Sequence, residues 1–441
     1  MANEHAMRDW FKELDVDRDG FLSLDEFKVA CRTLRPQATK SEQSALFNCI
    51  DLKGNGKISS SEFHDFTLSA HSKDPRRRVQ KLLEAGSIKM LSASWLLSQQ
   101  MPFVLKRRQE LPEEAFVAND KATSLWMDDP CSCVALSYGW LSKEHPDPTG
   151  FYLRKLLPYL EAHREHFVDR FTDVAVFWDW ASLPQNPRTD EERIDFKRGL
   201  EIMHLIYSST DHVVVQLKEM PEMSSTITEY GQRGWCTFEQ AVAGILKSSH
   251  MLFDLSHASA CLSNSESWLD IKRCAVVSRQ PPLHPDDMEK LFAQKIFTNN
   301  ADQSVVADMY RDYFNTICSS ADRLNFQNVG HGAGWGAEEA ARLAKALPMF
   351  CSCRFLDLSG HLLEDEGMSC IAQALRHMHA LTVLSLENCG FGEAGLYALR
   401  LQMSSLVHET GLQTISLPAR PEESVEGKEI AKWSVPEFRV T

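Results

Sequence analysis

Between Asp15 and Glu26 the chain reads Asp-Val-Asp-Arg-Asp-Gly-Phe-Leu-Ser-Leu-Asp-Glu. Asp15, Asp17 and Asp19 stand at alternate positions, the first, third and fifth of a twelve-residue loop. Gly20 permits a sharp turn, Phe21 offers its carbonyl, Ser23 reaches an ion through water, and Glu26 can close the shell with both carboxylate oxygens. Donors that are all oxygen, in this order, suit a hard divalent cation of calcium's size. Five acids and one arginine give the loop a net charge of −4. A second segment, Asp51 to Glu62, repeats the pattern with Asp51, Asn55, the Lys57 carbonyl, Ser59 and Glu62 around a turn at Gly56. Its third position is Lys53, and the segment is electrically neutral. Two unit charges 4 Å apart interact by about 4 kcal/mol at an effective dielectric near 20. The second loop is therefore expected to bind calcium weakly or not at all, and to serve as the structural partner of the first.

Helices must hold such a loop from both sides. Met7, Trp10, Phe11 and Leu14 follow helical spacing into it, and Ser23-x-x-Glu26 can cap an exit helix carrying Phe27, Ala30 and Leu34. Over residues 1–72 the sequence resembles the EF-hand superfamily, departing from its pattern at Lys53. The resemblance implies an all-α pair of helix–loop–helix units that binds Ca2+.

Four apolar runs, Val134–Tyr138, Val174–Trp178, His212–Leu217 and Met251–Leu255, alternate with helical stripes such as Leu153, Leu156, Leu157 and Leu160. Strands that are apolar throughout predict a parallel sheet covered on both faces, with ligands beyond the carboxyl ends of its strands. Those ends carry Ser137-Tyr138-Gly-Trp140 and Trp178-Asp179, and the third loop closes on Arg233-Gly-Trp235-Cys-Thr-Phe-Glu239. A glutamate opening a helix also simply complements the helix dipole. Residues about 126–256 resemble TIR domains in Ser137-Tyr138, Phe177-Trp178-Asp179 and Trp235-Cys236-x-x-Glu239. The resemblance implies a flavodoxin-like α/β fold. It leaves three roles open: NAD+ cleavage with Glu239 as the catalytic carboxylate, non-enzymatic assembly, or binding of another nucleotide or nucleoside. In the first, Ser137, Tyr138, Trp140, Trp178, Asp179 and Trp235 would line the NAD+ crevice.

The intervening segment, 73–125, reads as a basic helical connector. From Pro75 to Arg108 there are eight basic residues and one acid, a net +7, interleaved with Val79, Leu82, Leu83, Met90, Leu91, Trp95, Leu96 and Leu97. Three readings stand: a helix packed on the next domain, intramolecular capture of residues 75–108 by the EF-hands, or attraction to an anionic membrane surface.

Residues 257–320 read as a helical connector without chemistry. Beyond it a 28-residue period pairs Leu356 with Leu384, Leu358 with Leu386 and Gly367 with Gly395. Residues about 321–418 resemble ribonuclease-inhibitor-type leucine-rich repeats, which implies a short α/β solenoid for protein binding or capping. The glycine-rich Gly330–Gly336 lacks the dinucleotide fingerprint, because Trp335 stands where glycine is needed, and reads as a loop. Residues 419–441 read as a disordered tail. The net charge of −14 argues against nucleic-acid partners. Twelve cysteines without a CxxC motif suggest thiols in a reducing compartment. The sequence has neither an apolar leader nor an uncharged run long enough to span a membrane. The expectation is a multidomain α/β protein of the cytoplasm: a calcium sensor regulating a TIR-like signalling domain, with protein partners on the TIR-like and repeat modules.

Overall fold

The computed structural model describes residues 10–34, 43, 47, 50, 51, 55–60, 63, 74–221, 228–264, 267–276, 279–329, 334–409, 414–417 and 431–434. Lys53, Glu62, Met7 and residues 330–333 lie outside the described residues. The chain divides into two compact units, one of residues 1–90, 106–128 and 179–205, the other of residues 91–105, 129–178 and 206–441.

In chain order the elements up to residue 254 are β1 (Phe21–Ser23), α1 (Leu24–Leu34), β2 (Lys57–Ser59), α2 (Arg76–Glu84), β3 (Leu91–Ser92), α3 (Ala93–Leu97), α4 (Asn119–Asp128), β4 (Cys133–Tyr138), α5 (Phe151–His166), β5 (Ala175–Phe177), α6 (Asp179–Ser182), α7 (Asp190–Ser208), β6 (Val213–Leu217), α8 (Gly234–Leu246) and β7 (Leu252–Asp254).

In the first unit, β1 and β2 pair antiparallel with Leu22 opposite Ile58. A two-stranded ribbon is marginal alone. Here both of those side chains are fully buried in a core with Phe11, Leu14, Phe27, Phe47, Ile50 and Phe63. Phe11 meets Phe63, and Phe27 meets Phe47, edge to face at 5.6 and 5.8 Å. The same unit packs α2 on α4, burying Val79 and Leu83, and the Trp126 indole donates to the Arg76 carbonyl at 3.0 Å.

The basic segment differs from its expected form. It is not one amphipathic helix but α2, β3 and α3, because its apolar residues serve different neighbours. Gly86, at φ +70°, ends the first helix, and β3 then joins a sheet with Leu91 opposite Val176. Ile88, Met90, Leu91, Ala93 and Leu96 are fully buried. Two of the cations are structural as well: Arg108 donates to the carbonyls of Gly86, Ser87 and Ser182, and Lys89 pairs with Glu113 at 2.6 Å. Of the apolar residues that capture of 75–108 in an EF-hand groove would use, Val79, Leu83, Met90, Leu91 and Leu96 are buried in the fold, and Leu82, Trp95 and Leu97 are half-buried. Residues 91–97 are also not a connector but part of the second unit.

The second unit contains a sheet in the order β3-β5-β4-β6-β7, parallel throughout except for β3. Its four parallel strands follow the order of a doubly wound sheet. Every residue of β4, β5, β6 and β7 is buried, as the continuous apolar runs required.

The chain continues through α9 (Ser259–Ser263), α10 (Trp268–Ala275), α11 (Pro285–Phe292) and α12 (Asp302–Ser320). Then strands and helices alternate: β8 (Arg323–Asn325), α13 (Ala337–Ala346), β9 (Phe355–Asp357), α14 (Glu364–Leu375), β10 (Val383–Ser385), α15 (Glu393–Glu409), β11 (Thr414–Leu417) and β12 (Ala431–Ser434). β8 to β11 are parallel, and the 28-residue spacing sets Leu356 beside Leu384 in register, both fully buried. The expected tail is corrected at 431–434, which pair antiparallel with β11 and hydrogen-bond its edge. Trp335 is buried, stacked on His361 at 4.3 Å. The glycine-rich stretch therefore delivers a core side chain ahead of α13 and offers no phosphate cradle at that residue. Among the described residues no helix is long and apolar enough to cross a membrane.

Candidate functional site

The loop between residue 14 and α1 is held by its own carboxylates. Asp15, which is buried, accepts from the backbone N–H of Asp19 at 3.1 Å and of Gly20 at 3.0 Å, so its side chain anchors the turn from inside. Gly20 sits at φ +84°, a conformation that favours glycine. Asp17 accepts from Asp19 N–H, and Asp19 from Phe21 N–H at 2.9 Å. One carboxylate oxygen from each of Asp15, Asp17 and Asp19 lies within 4.8 Å of the others, and no other such group of acids, histidines or cysteines occurs among the described residues. Glu26, at the start of α1, reaches back across the loop and accepts from Val16 N–H at 2.9 Å and from Ser23 N–H and Oγ at 2.8 and 2.7 Å. The Ser23 hydroxyl holds the Glu26 carboxyl below its ordinary range. Phe21 and Ser23, in β1, complete the predicted set. These donors fit a hard divalent cation: they are oxygens only, several of them charged, on a turn already closed by backbone hydrogen bonds.

The second loop is built alike. Asp51 accepts from Asn55 and Gly56 N–H at 3.1 and 2.7 Å, and Asn55 from Lys57 N–H at 3.0 Å. Ser59 faces Phe21 across the ribbon, while Glu62 lies outside the described residues. One contact was not legible in the spacing. The Lys57 ammonium crosses to the first loop and pairs with Asp19 at 2.6 Å, which lowers the Asp19 pKa through that hydrogen bond.

Of the residues placed in the crevice, Ser137 and Glu239 meet through a hydrogen bond. Ser137, at the end of β4, donates to Glu239 Oε2 at 2.5 Å. Tyr230 Oη lies 2.6 Å from the same serine oxygen. The serine's single proton goes to the carboxylate, so the tyrosine donates to the serine and a chain Tyr230→Ser137→Glu239 results. All three side chains are buried, and burial raises the Tyr230 pKa well above its usual value, which keeps it a donor. Tyr138 and Trp178, read as rim residues, are core: their rings pack edge to face at 5.6 Å and Trp178 is fully buried. Trp140 and Trp235 are half-buried, the latter donating from Nε1 to Asp302 at 3.0 Å. Asp179 opens α6 in the first unit and accepts from Trp180 N–H at 2.7 Å. Arg233, outside the predicted set, donates to the Trp140 and Thr228 carbonyls, and Gly139 leaves room for its side chain. Tyr230 could not have been found from spacing, since it stands 93 residues from Ser137.

Two oxygen-rich loops joined by a short ribbon are the arrangement of an EF-hand pair. Residues 4–68 match the family of EF-hand domain pairs. Similar proteins include luciferin-binding protein of Renilla reniformis, 40% identical over 11% of this chain and 27% of that protein. Probable calcium-binding protein CML27 of Arabidopsis thaliana is 42% identical over 12% of this chain and 29% of its own. Calhepatin of Lepidosiren paradoxus is 29% identical over 14% of this chain and 83% of its own. The chain thus spans between a quarter and a third of the length of the first two relatives. No solved structure matches it.

Proposed function

We propose that the protein binds calcium at Asp15, Asp17, Asp19, the Phe21 carbonyl, Ser23 and Glu26. The convergence of three carboxylates within 4.8 Å carries this reading. The EF-hand match and the relatives named for calcium binding support it. Calcium, when bound, supplies two positive charges to a donor set whose one cross-loop cation is the Lys57 ammonium on Asp19. The second loop has a weaker donor set and braces the first. Titration calorimetry of wild type and Glu26→Gln tests the assignment: the variant loses most of the heat, and an unchanged isotherm refutes it.

Calcium occupancy, in this reading, regulates a TIR-like domain (126–256) in a cytoplasmic protein whose leucine-rich repeats (321–418) bind a protein partner. For the TIR-like domain, assembly scaffold is favoured over NAD+ glycohydrolase. The observation behind this preference is the burial of Glu239, whose carboxylate already accepts from a buried serine. An exposed general acid or electrostatic partner would face solvent or substrate. Incubation with NAD+, with and without calcium, yields no nicotinamide if the preference is right. Release that is lost in Glu239→Ala restores the enzyme. Calcium-dependent particle size in light scattering is the positive sign of a scaffold.

A further inference from the structure

The chain carries two thiols in contact that neither the calcium loop nor the Glu239 cluster uses. Cys261 lies in α9 and Cys274 in the last turn of α10, with their sulfurs 3.0 Å apart. Both are thiols in this structure, Cys261 buried and Cys274 half-buried. A disulfide needs its sulfurs at about 2.05 Å, so closing the gap asks for about 1 Å. The two helices are already packed on one another and on α5, so the pair is held together by the fold before any bond forms.

We propose that Cys261 and Cys274 are a modification site, converted to a reversible intrachain disulfide by a small disulfide oxidant such as oxidised glutathione. The order of events follows from exposure. The Cys274 thiolate, the more accessible, attacks one sulfur of the oxidant, forming a mixed disulfide and expelling one glutathione thiolate. The Cys261 thiolate then attacks the Cys274 sulfur and expels the second. Two protein thiols are oxidised, one glutathione disulfide is reduced to two thiols, and both protons from the cysteines end on the released glutathione. Lys272 and Arg273 precede Cys274 in the same turn, the first over the Trp268 ring and the second beside Asp270. The resulting bond would fasten α9 to α10, the helices lying against α5.

The test uses the full-length protein, treated with oxidised glutathione at neutral pH, alkylated, digested and analysed by mass spectrometry with and without prior reduction. The expected product is a Cys261–Cys274 cross-linked peptide, lighter by two hydrogens than the sum of its reduced parts and abolished by dithiothreitol. Cys261→Ser is expected to accumulate glutathione on Cys274 that the wild type does not retain, and Cys274→Ser to leave Cys261 unmodified. The exposed Cys351 serves as an internal control for oxidant activity. A wild-type protein that keeps glutathione on Cys274, or that leaves both thiols alkylated while Cys351 is modified, overturns the proposal.

Discussion

Replacing Ser137 by alanine breaks the buried chain at its middle. The serine is the donor to Glu239 Oε2 at 2.5 Å and the acceptor for Tyr230 Oη at 2.6 Å, and all three side chains are withdrawn from water. Its loss deprives a buried carboxylate of a hydrogen bond and leaves a buried phenol without that acceptor. Hydrogen bonds to charged groups contribute about 1.5–3 kcal/mol, against about 0.5–1.5 kcal/mol between neutral groups. Ser137→Ala is therefore expected to destabilise by about 1.5–3 kcal/mol. At about 2–4 °C per kcal/mol for a large domain, this lowers the corresponding transition by roughly 3–12 °C. Tyr230→Phe keeps the serine–carboxylate bond and should cost less, about 0.5–1.5 kcal/mol. The double variant should cost less than the sum, because the serine substitution already strands the tyrosine. Thermal unfolding followed by near-ultraviolet circular dichroism reads all three. An unshifted Ser137→Ala transition, or a Tyr230→Phe loss larger than that of the serine variant, would refute the donor order.

Lys57→Met removes the ammonium from Asp19 and should tighten calcium binding at the first loop, with a gain that shrinks in high salt; weaker binding by calorimetry would count against the ion pair as a competitor. Gly139→Ala sets a methyl 2.6 Å from Arg233 Nε, so the guanidinium must leave the Trp140 carbonyl; overpacking of this kind costs about 1–3 kcal/mol, read as a thermal shift. Burial pulls the Lys247 ammonium down to about 7, while the unfolded chain keeps it near the usual value of about 10.4. Between those values the unfolded state holds more protons, so stability rises with pH from about 7 to about 10. Lys247→Met should flatten that rise in urea midpoints measured across the interval, and an unchanged slope would remove Lys247 as its source.

The first loop was legible because its chemistry is local: Asp15 to Glu26 carry donors, turn and cap within one short stretch. The parallel strands were legible for a different reason. β4 and β6 are buried on both faces, so nearly every residue is apolar, and the sequence shows it without periodicity. β3 was hidden because two residues cannot establish a period and its partner Val176 is remote in sequence. Trp178 is ambiguous in sequence because a tryptophan closing a strand reads the same at a rim and in a core, and only Tyr138 packing against it decides. The tail strand at 431–434 escaped notice because its order comes from the open edge of β11 rather than from its own residues.

The placement of β3 also has a consequence for biosynthesis. Ser92 donates to Asp173, 81 residues further along. At about 5–20 residues per second, a ribosome needs roughly 4–16 s to write that partner. For this interval the nascent chain carries Leu91 and its apolar neighbours with no sheet to receive them. A chain begun after residue 97 faces the opposite problem: β5 emerges with its outer hydrogen-bonding edge uncovered, available to another copy. The start of a stable α/β fragment is therefore set by β3, well upstream of the first parallel strand.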